Sequence, residues 1–182
     1  WDSTDQGLIY VLLNEQWRPF KVLYRGLNSS EPDATIYEEH DSSFFVSIHC
    51  SQSESFAFIS TADHVTSQYF YLERNLLNTK PIAVTDRVSN HEYYVDHDGE
   101  RFIIRSNLRH QNFDIFTTDI SSAASEQWDL LLNGSDELYI TDFLALKNHL
   151  IVMSRAKGLD QVEIHDSKTR KHHQIEFPDA AY

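Results

Sequence analysis

Serine, histidine and aspartate are abundant in this chain of 182 residues, but they are not spaced as hydrolytic centres are. A nucleophile elbow needs the run Gly-x-Ser-x-Gly, because only glycines tolerate the sharp turn that lifts the serine hydroxyl. No such run occurs. The five glycines are too dispersed for a phosphate-cradling loop, a dinucleotide fingerprint or a glycine-rich oxyanion loop. Cys50 is the sole cysteine, which excludes Cys-x-x-Cys and any intrachain disulfide and fits a reducing compartment. It lies at a predicted strand end with no evident basic partner, so it reads as a small buried residue and not as a nucleophile.

Two short clusters hold metal-ligating residue types, Glu38-Glu39-His40-Asp41 and Asp96-His97-Asp98. Neighbouring residues on a strand point to opposite faces, so three in a row do not converge on one ion. Asp98-Gly99 is a hairpin turn signal. Glu39 to Ser43 reads as a polar link between elements. His172-His173 closes the basic stretch Lys168 to His173, which reads as a solvated hairpin. The ten histidines, on an acidic strand-rich chain, fit surface positions better than catalytic ones. The expectation is no catalytic residue, no metal and no cofactor.

The elements that must position these residues are strands. Hydrophobic residues make up 41% and charged residues 24%, an ordinary globular composition. Nine tyrosines and eleven phenylalanines favour pleated surfaces. The net charge of -13 is spread along the chain, which argues against nucleic acid as a partner, since phosphate binding needs clustered Lys and Arg. The acidic charge fits an ordinary solvated surface first, and it also suits cationic peptides as ligands; charge alone does not choose between the two. No stretch has the apolar length of a membrane-spanning helix, so no membrane partner is expected. The chain has no initiator Met and opens on Trp1-Asp2-Ser3-Thr4, which reads as the middle of a longer protein. The sequons at Asn28 and Asn133 matter only in a secreted protein and are discounted.

Apolar runs recur every 8–12 residues between Gly, Asn, Asp and Ser turns. Phe56-Ala57-Phe58-Ile59-Ser60-Thr61, Phe102-Ile103-Ile104-Arg105-Ser106-Asn107 and Leu150-Ile151-Val152-Met153-Ser154-Arg155 share one pattern and start 46 and 48 residues apart. A strand is predicted before each: Phe44–His49, Glu92–His97 and Leu138–Leu144. Another follows each: Gln68–Glu73, Asn112–Thr117 and Gln161–Asp166. A fourth closes each unit: Ile82–Thr85, Gln127–Leu132 and His173–Phe177. Four strands in roughly 47 residues is the size of a propeller blade. Leu8–Leu13, Phe20–Tyr24 and Thr35–Tyr37 read as the second to fourth strands of a preceding blade, with Trp1 as the end of its first.

The fold class is therefore all-β: a partial, open β-propeller of about three and a half four-stranded antiparallel blades. Its expected divisions are a partial blade over 1–40, blades over 41–88, 89–134 and 135–178, and the start of another over 179–182. A β-sandwich of about fifteen strands would be too dense and would not need the period. Inner strands covered on both faces explain the unbroken runs Phe44-Phe45-Val46 and Phe102-Ile103-Ile104. Ser47, Asp96 and Asp142 are expected to face the central channel, and Asp96 and Asp142 are its expected acids on strand geometry alone. The open wedge would leave blade faces bare, so the chain is expected to self-associate through them.

Several stretches resemble the oligopeptidase B (protease II) group of the prolyl oligopeptidase family of serine peptidases. One is Arg18-Pro19-Phe20-Lys21-Val22-Leu23-Tyr24-Arg25. Another is Tyr37-Glu38-Glu39-His40-Asp41-Ser42-Ser43-Phe44-Phe45-Val46-Ser47, where that group has a tyrosine, two acids, an acidic turn, aromatics and a valine. Thr66-Ser67-Gln68 is similar to its Thr-Ser-acid strand start, with Gln68 in the acid's place. Glu92–His97, Arg101–Asn107, Asn112-Phe113 and the segment from His149 to Leu159 add to the likeness, which runs from Trp1 to Tyr182. It implies a seven-bladed propeller capping an α/β-hydrolase domain that carries a Ser-Asp-His triad and cuts short peptides after Arg or Lys. It implies a non-catalytic segment that filters substrate access, partnered by the hydrolase domain of the same parent chain and, in the intact enzyme, by short cationic peptides. The location implied is cytoplasmic, with periplasmic as the alternative. A stand-alone propeller-type peptide- or protein-binding module is the second reading, and a metal-dependent hydrolase a distant third.

Overall fold

The computed structural model describes residues 1–123 and 128–176. It divides into two compact units, Trp1–Asn90 and His91–Tyr182. Each holds two antiparallel sheets whose strands follow one another in chain order. Within each sheet, neighbouring strands are joined as antiparallel hairpins, because strand runs of at most nine residues are cut by turn-forming residues.

In the first unit, β1 (Gly7–Leu13), β2 (Pro19–Gly26) and β3 (Ala34–Glu38) form a three-stranded sheet. β4 (Phe45–Cys50), β5 (Phe56–Ala62), β6 (Ser67–Glu73) and the short β7 (Ile82–Ala83) form a four-stranded one. Val22, Val46, Ala57, Ile59, Leu72 and Leu77 make the shared core. β5 is buried at six successive positions, Phe56 to Thr61, as a strand covered on both faces must be. Trp1 lies outside any strand and is 63% exposed. The reading of it as a strand end is corrected: the Asp2 carboxylate accepts the backbone N–H of Thr4 and Gln6 and curls the chain into a turn.

In the second unit, β8 (Tyr93–His97), β9 (Phe102–Ser106), β10 (Asp114–Thr118) and β11 (Asp129–Leu132) form one sheet. β12 (Leu138–Leu146), β13 (His149–Ala156), β14 (Leu159–Asp166) and β15 (His172–Gln174) form the other. Ile103, Phe113, Ile115, Ile140, Phe143 and Val152 are among the side chains that lock them. The outermost strands, β11 and β15, are mostly exposed. β10 starts two residues later than the predicted Asn112, because Phe113 takes a left-handed turn conformation (φ 62°). Gly134 carries the chain from one sheet to the next. A Cβ there would lie 2.1 Å from the Phe113 carbonyl oxygen, so no larger residue fits without moving backbone. Gln127, Phe177 and the segment 179–182, expected in strands or in a further blade, lie outside the described residues.

Candidate functional site

β4, β8 and β12 open their sheets, and the residues expected to face a channel lie on them. Asp96 on β8 is half-buried, and its carboxylate accepts the N–H of His97 at 2.7 Å. Asp142 on β12 is exposed and accepts the N–H of Phe143 at 2.8 Å. A bulge at Thr141 separates the pairs Ile140–Ser154 and Asp142–Met153. Bulges re-aim the side chains that follow them. Tyr94 lies two residues before Asp96, on the same face of β8. Its ring meets that of Phe143 edge-on at 5.9 Å. Burial raises the pKa of its hydroxyl, and the negative charges of Asp96 and Asp142 raise it further. The structure thus gathers both expected acids around one tyrosine that the sequence did not single out. Ser47, in the first unit, bonds to Ser60 across its hairpin with 2.7 Å between the hydroxyls.

The two clusters of metal-ligating types are dispersed by strand geometry. Asp98 turns into its hairpin to accept the N–H of Glu100 and Arg101, and His97 is buried edge-on to Phe102. Glu38 pairs with Lys21 at 2.7 Å, and Asp41 accepts the N–H of Ser43. Among the described residues no three such side chains converge. The basic stretch before His173 is a solvated hairpin, organised by Asp166 accepting the N–H of Lys168 and Thr169.

Glu39 is no mere linker residue. Its N–H continues the β2–β3 ladder by donating to the Phe20 carbonyl, which sends its side chain inward on the same side as Tyr37. One carboxylate oxygen accepts the Tyr37 hydroxyl at 2.8 Å, the Thr61 hydroxyl at 2.7 Å and Arg87 Nη2 at 2.5 Å; the other accepts the N–H of Asp41. Burial alone would raise the pKa of this carboxyl. The bonds from Arg87, Thr61, Asp41 and Tyr37 outweigh it and hold the value at about 2. Burial and the Glu39 bond push the Tyr37 hydroxyl up to about 12. Arg87 also stacks on Phe44, 3.9 Å from the ring centre.

One serine and one histidine do meet. His91 Nε2 lies 2.8 Å from Ser106 Oγ, which also accepts the N–H of Leu108. Ser106 is 0% exposed, so no substrate carbonyl reaches it. His91 stacks on Tyr93 and lies beside Trp128, the arrangement of a packed core histidine, and its Nδ1 is buried without a hydrogen-bond partner among the described residues. Cys50, expected to be buried, is exposed, because the terminal residue of β4 is not covered by a neighbouring element.

The family model described as the prolyl oligopeptidase N-terminal beta-propeller domain matches residues 1–182. Dipeptidyl aminopeptidase BI of Pseudoxanthomonas mexicana is 28% identical over 178 residues, covering 90% of this chain and 23% of that protein. Protease 2 of Moraxella lacunata is 24% identical over 184 residues, covering 100% of this chain and 26% of that protein. Among solved structures, oligopeptidase B from Leishmania major superposes with a TM-score of 0.87 at 21% identity, over 98% of this chain and 27% of that one. The fold is thereby that of a partial propeller, and the chain spans about a quarter of the length of these relatives.

Proposed function

The chain belongs to the prolyl oligopeptidase family as a segment of its N-terminal β-propeller domain, and from that premise we propose that it gates a catalytic α/β-hydrolase domain carried elsewhere in its parent protein. In this reading the nucleophile lies outside the segment. Propeller blades around a channel admit short unfolded peptides and exclude folded chains. Asp96 and Asp142 line that passage and draw cationic peptides towards a site that cuts after Arg or Lys. The observation that supports this best is the whole-length match to the propeller model. The acidic surface, at a net charge of -13, agrees with cationic substrates.

The intact parent should hydrolyse a short Arg-containing peptide and leave the same sequence uncut inside a folded protein. It should take up a serine-directed phosphonate, and this segment alone should not. Labelling of the segment, or equal cleavage of the folded substrate, would sink the reading.

A relative named a dipeptidyl aminopeptidase favours a second reading, in which the parent removes dipeptides from free amino termini. Blocking the substrate's amino terminus decides between them: it abolishes dipeptide release and spares cleavage after an internal Arg or Lys.

Expressed by itself, the segment self-associates through side chains such as Leu12, Ile82 and Leu130, each at least 39% exposed. Sedimentation as a monomer across the micromolar range would contradict this.

A further inference from the structure

Within the second unit, the β8–β11 and β12–β15 sheets leave a cleft of about 580 Å³ near the turns Asp98–Arg101, Leu146–His149 and Asp166–Arg170. This is the size of a small-molecule site, which spans roughly 300–1,000 Å³. Its floor is apolar, with Ile103, Leu132, Ala145 and Leu150 among the lining residues.

The rim is polar, and nearly every charge on it is already engaged. Asp98 pairs with Arg101 at 3.4 Å. Asp166 caps its own turn and stands 3.9 Å from His149 Nε2. Glu163 lies 3.1 Å from His165 Nε2, and the His165 ring stacks on its cross-strand neighbour His172 at 5.2 Å. Burial lowers the pKa of His165, and Glu163 opposes this only in part.

Arg170 is the exception. Among the described residues no carboxylate pairs with its guanidinium. Its backbone is pinned in the left-handed region (φ 57°), and its N–H donates to the Asp166 carbonyl at 2.9 Å, so the root of the side chain is fixed at the mouth of the cleft. A guanidinium with no carboxylate partner among the described residues, beside an apolar floor, suits an anionic group such as a carboxylate on an apolar body.

We propose that this cleft binds organic carboxylates, Arg170 holding the carboxylate and the apolar floor holding the remainder. The sources of that chemistry are a free short-chain carboxylic acid and the C-terminus of a peptide ending in an apolar residue. Neither requires the peptidase reading.

The test uses the intact parent protein, treated first with a serine-directed phosphonate so that any active site is blocked. Saturation-transfer NMR then compares N-acetylleucine, its neutral isostere N-acetylleucinamide, and 4-methylpentanoate. The proposal expects the two carboxylates to bind roughly ten- to hundred-fold more tightly than the amide, the range set by a charge-assisted hydrogen bond. Arg170→Ala should remove that preference, and Arg170→Lys should keep part of it. Tighter binding of N-acetylleucine than of 4-methylpentanoate assigns the site to peptide termini; equal binding assigns it to free acids. Equal binding of acid and amide, or an unchanged preference in Arg170→Ala with an unaltered circular dichroism spectrum, overturns the proposal.

Discussion

Glu39 and Arg87 stand 48 residues apart in sequence and meet at 2.5 Å, tying the link after β3 to the segment that follows β7. The Glu39 side chain is 7% exposed and that of Arg87 27%. Buried ion pairs contribute little relative to an apolar replacement, but removal of one partner strands the other. Here the carboxylate also serves Tyr37, Thr61 and Asp41, so its loss leaves several donors unpaired at once.

Glu39→Gln should therefore destabilise the chain by about 2–3 kcal/mol, below the full cost for a wholly buried pair because Arg87 keeps some solvent. Arg87→Met should cost a similar amount, and the double variant less than the sum. Urea denaturation of the four proteins checks this; strict additivity would mean that the two groups do not act together.

The same carboxyl sets an acid limit. Its folded pKa of about 2 lies below the ordinary 4.5, so its contribution is complete above pH 4.5 and is lost as pH falls from there towards 2. The urea midpoint of the wild type should drop more steeply over that window than that of Glu39→Gln. Parallel curves would contradict the assignment.

His91 and His97 act at higher pH. Burial lowers both pKa values below the ordinary 6.5, and Asp98 only partly opposes the effect at His97. The folded state then binds fewer protons than the unfolded one below pH 6.5, so stability is complete above that value and declines as pH falls beneath it. Melting temperatures from pH 7.5 to 5.5 should show the decline, and the pair of changes His91→Gln and His97→Gln should flatten it. A wild-type curve level across this range would rule out the buried neutral state.

Tyr94 reports on the inner-strand acids. Replacing Asp96 and Asp142 by Asn should lower the pH at which Tyr94 ionises, seen in its ultraviolet difference spectrum. In the intact parent, the same double change should reduce kcat/KM for dibasic peptides about 3–10-fold at low salt and weaken its dependence on ionic strength. An unchanged salt slope would remove both residues from the substrate's path.

What the sequence determined by itself was local. Hairpins with a period near 47 residues can be read directly, because strand length, turn chemistry and side-chain alternation are set by neighbours along the chain. That is why Phe56, Phe102 and Leu150 each start a strand near the expected place, and why Asp98-Gly99 and Lys168–His173 are turns and hairpins. Tertiary structure decided what depends on distant partners. Glu39 had the look of a solvated linker acid until Thr61 and Arg87 arrived from other elements. Cys50 looked buried, but burial is a property of the covering element and not of the strand that bears the residue. The surroundings of Asp142 follow from one extra residue at Thr141, an irregularity that no alternation pattern announces. Tyr94 became the meeting point of two acids only because β8 and β12 pack side by side. Pairings between residues remote in sequence carry no periodic signature, so only the folded chain reveals them.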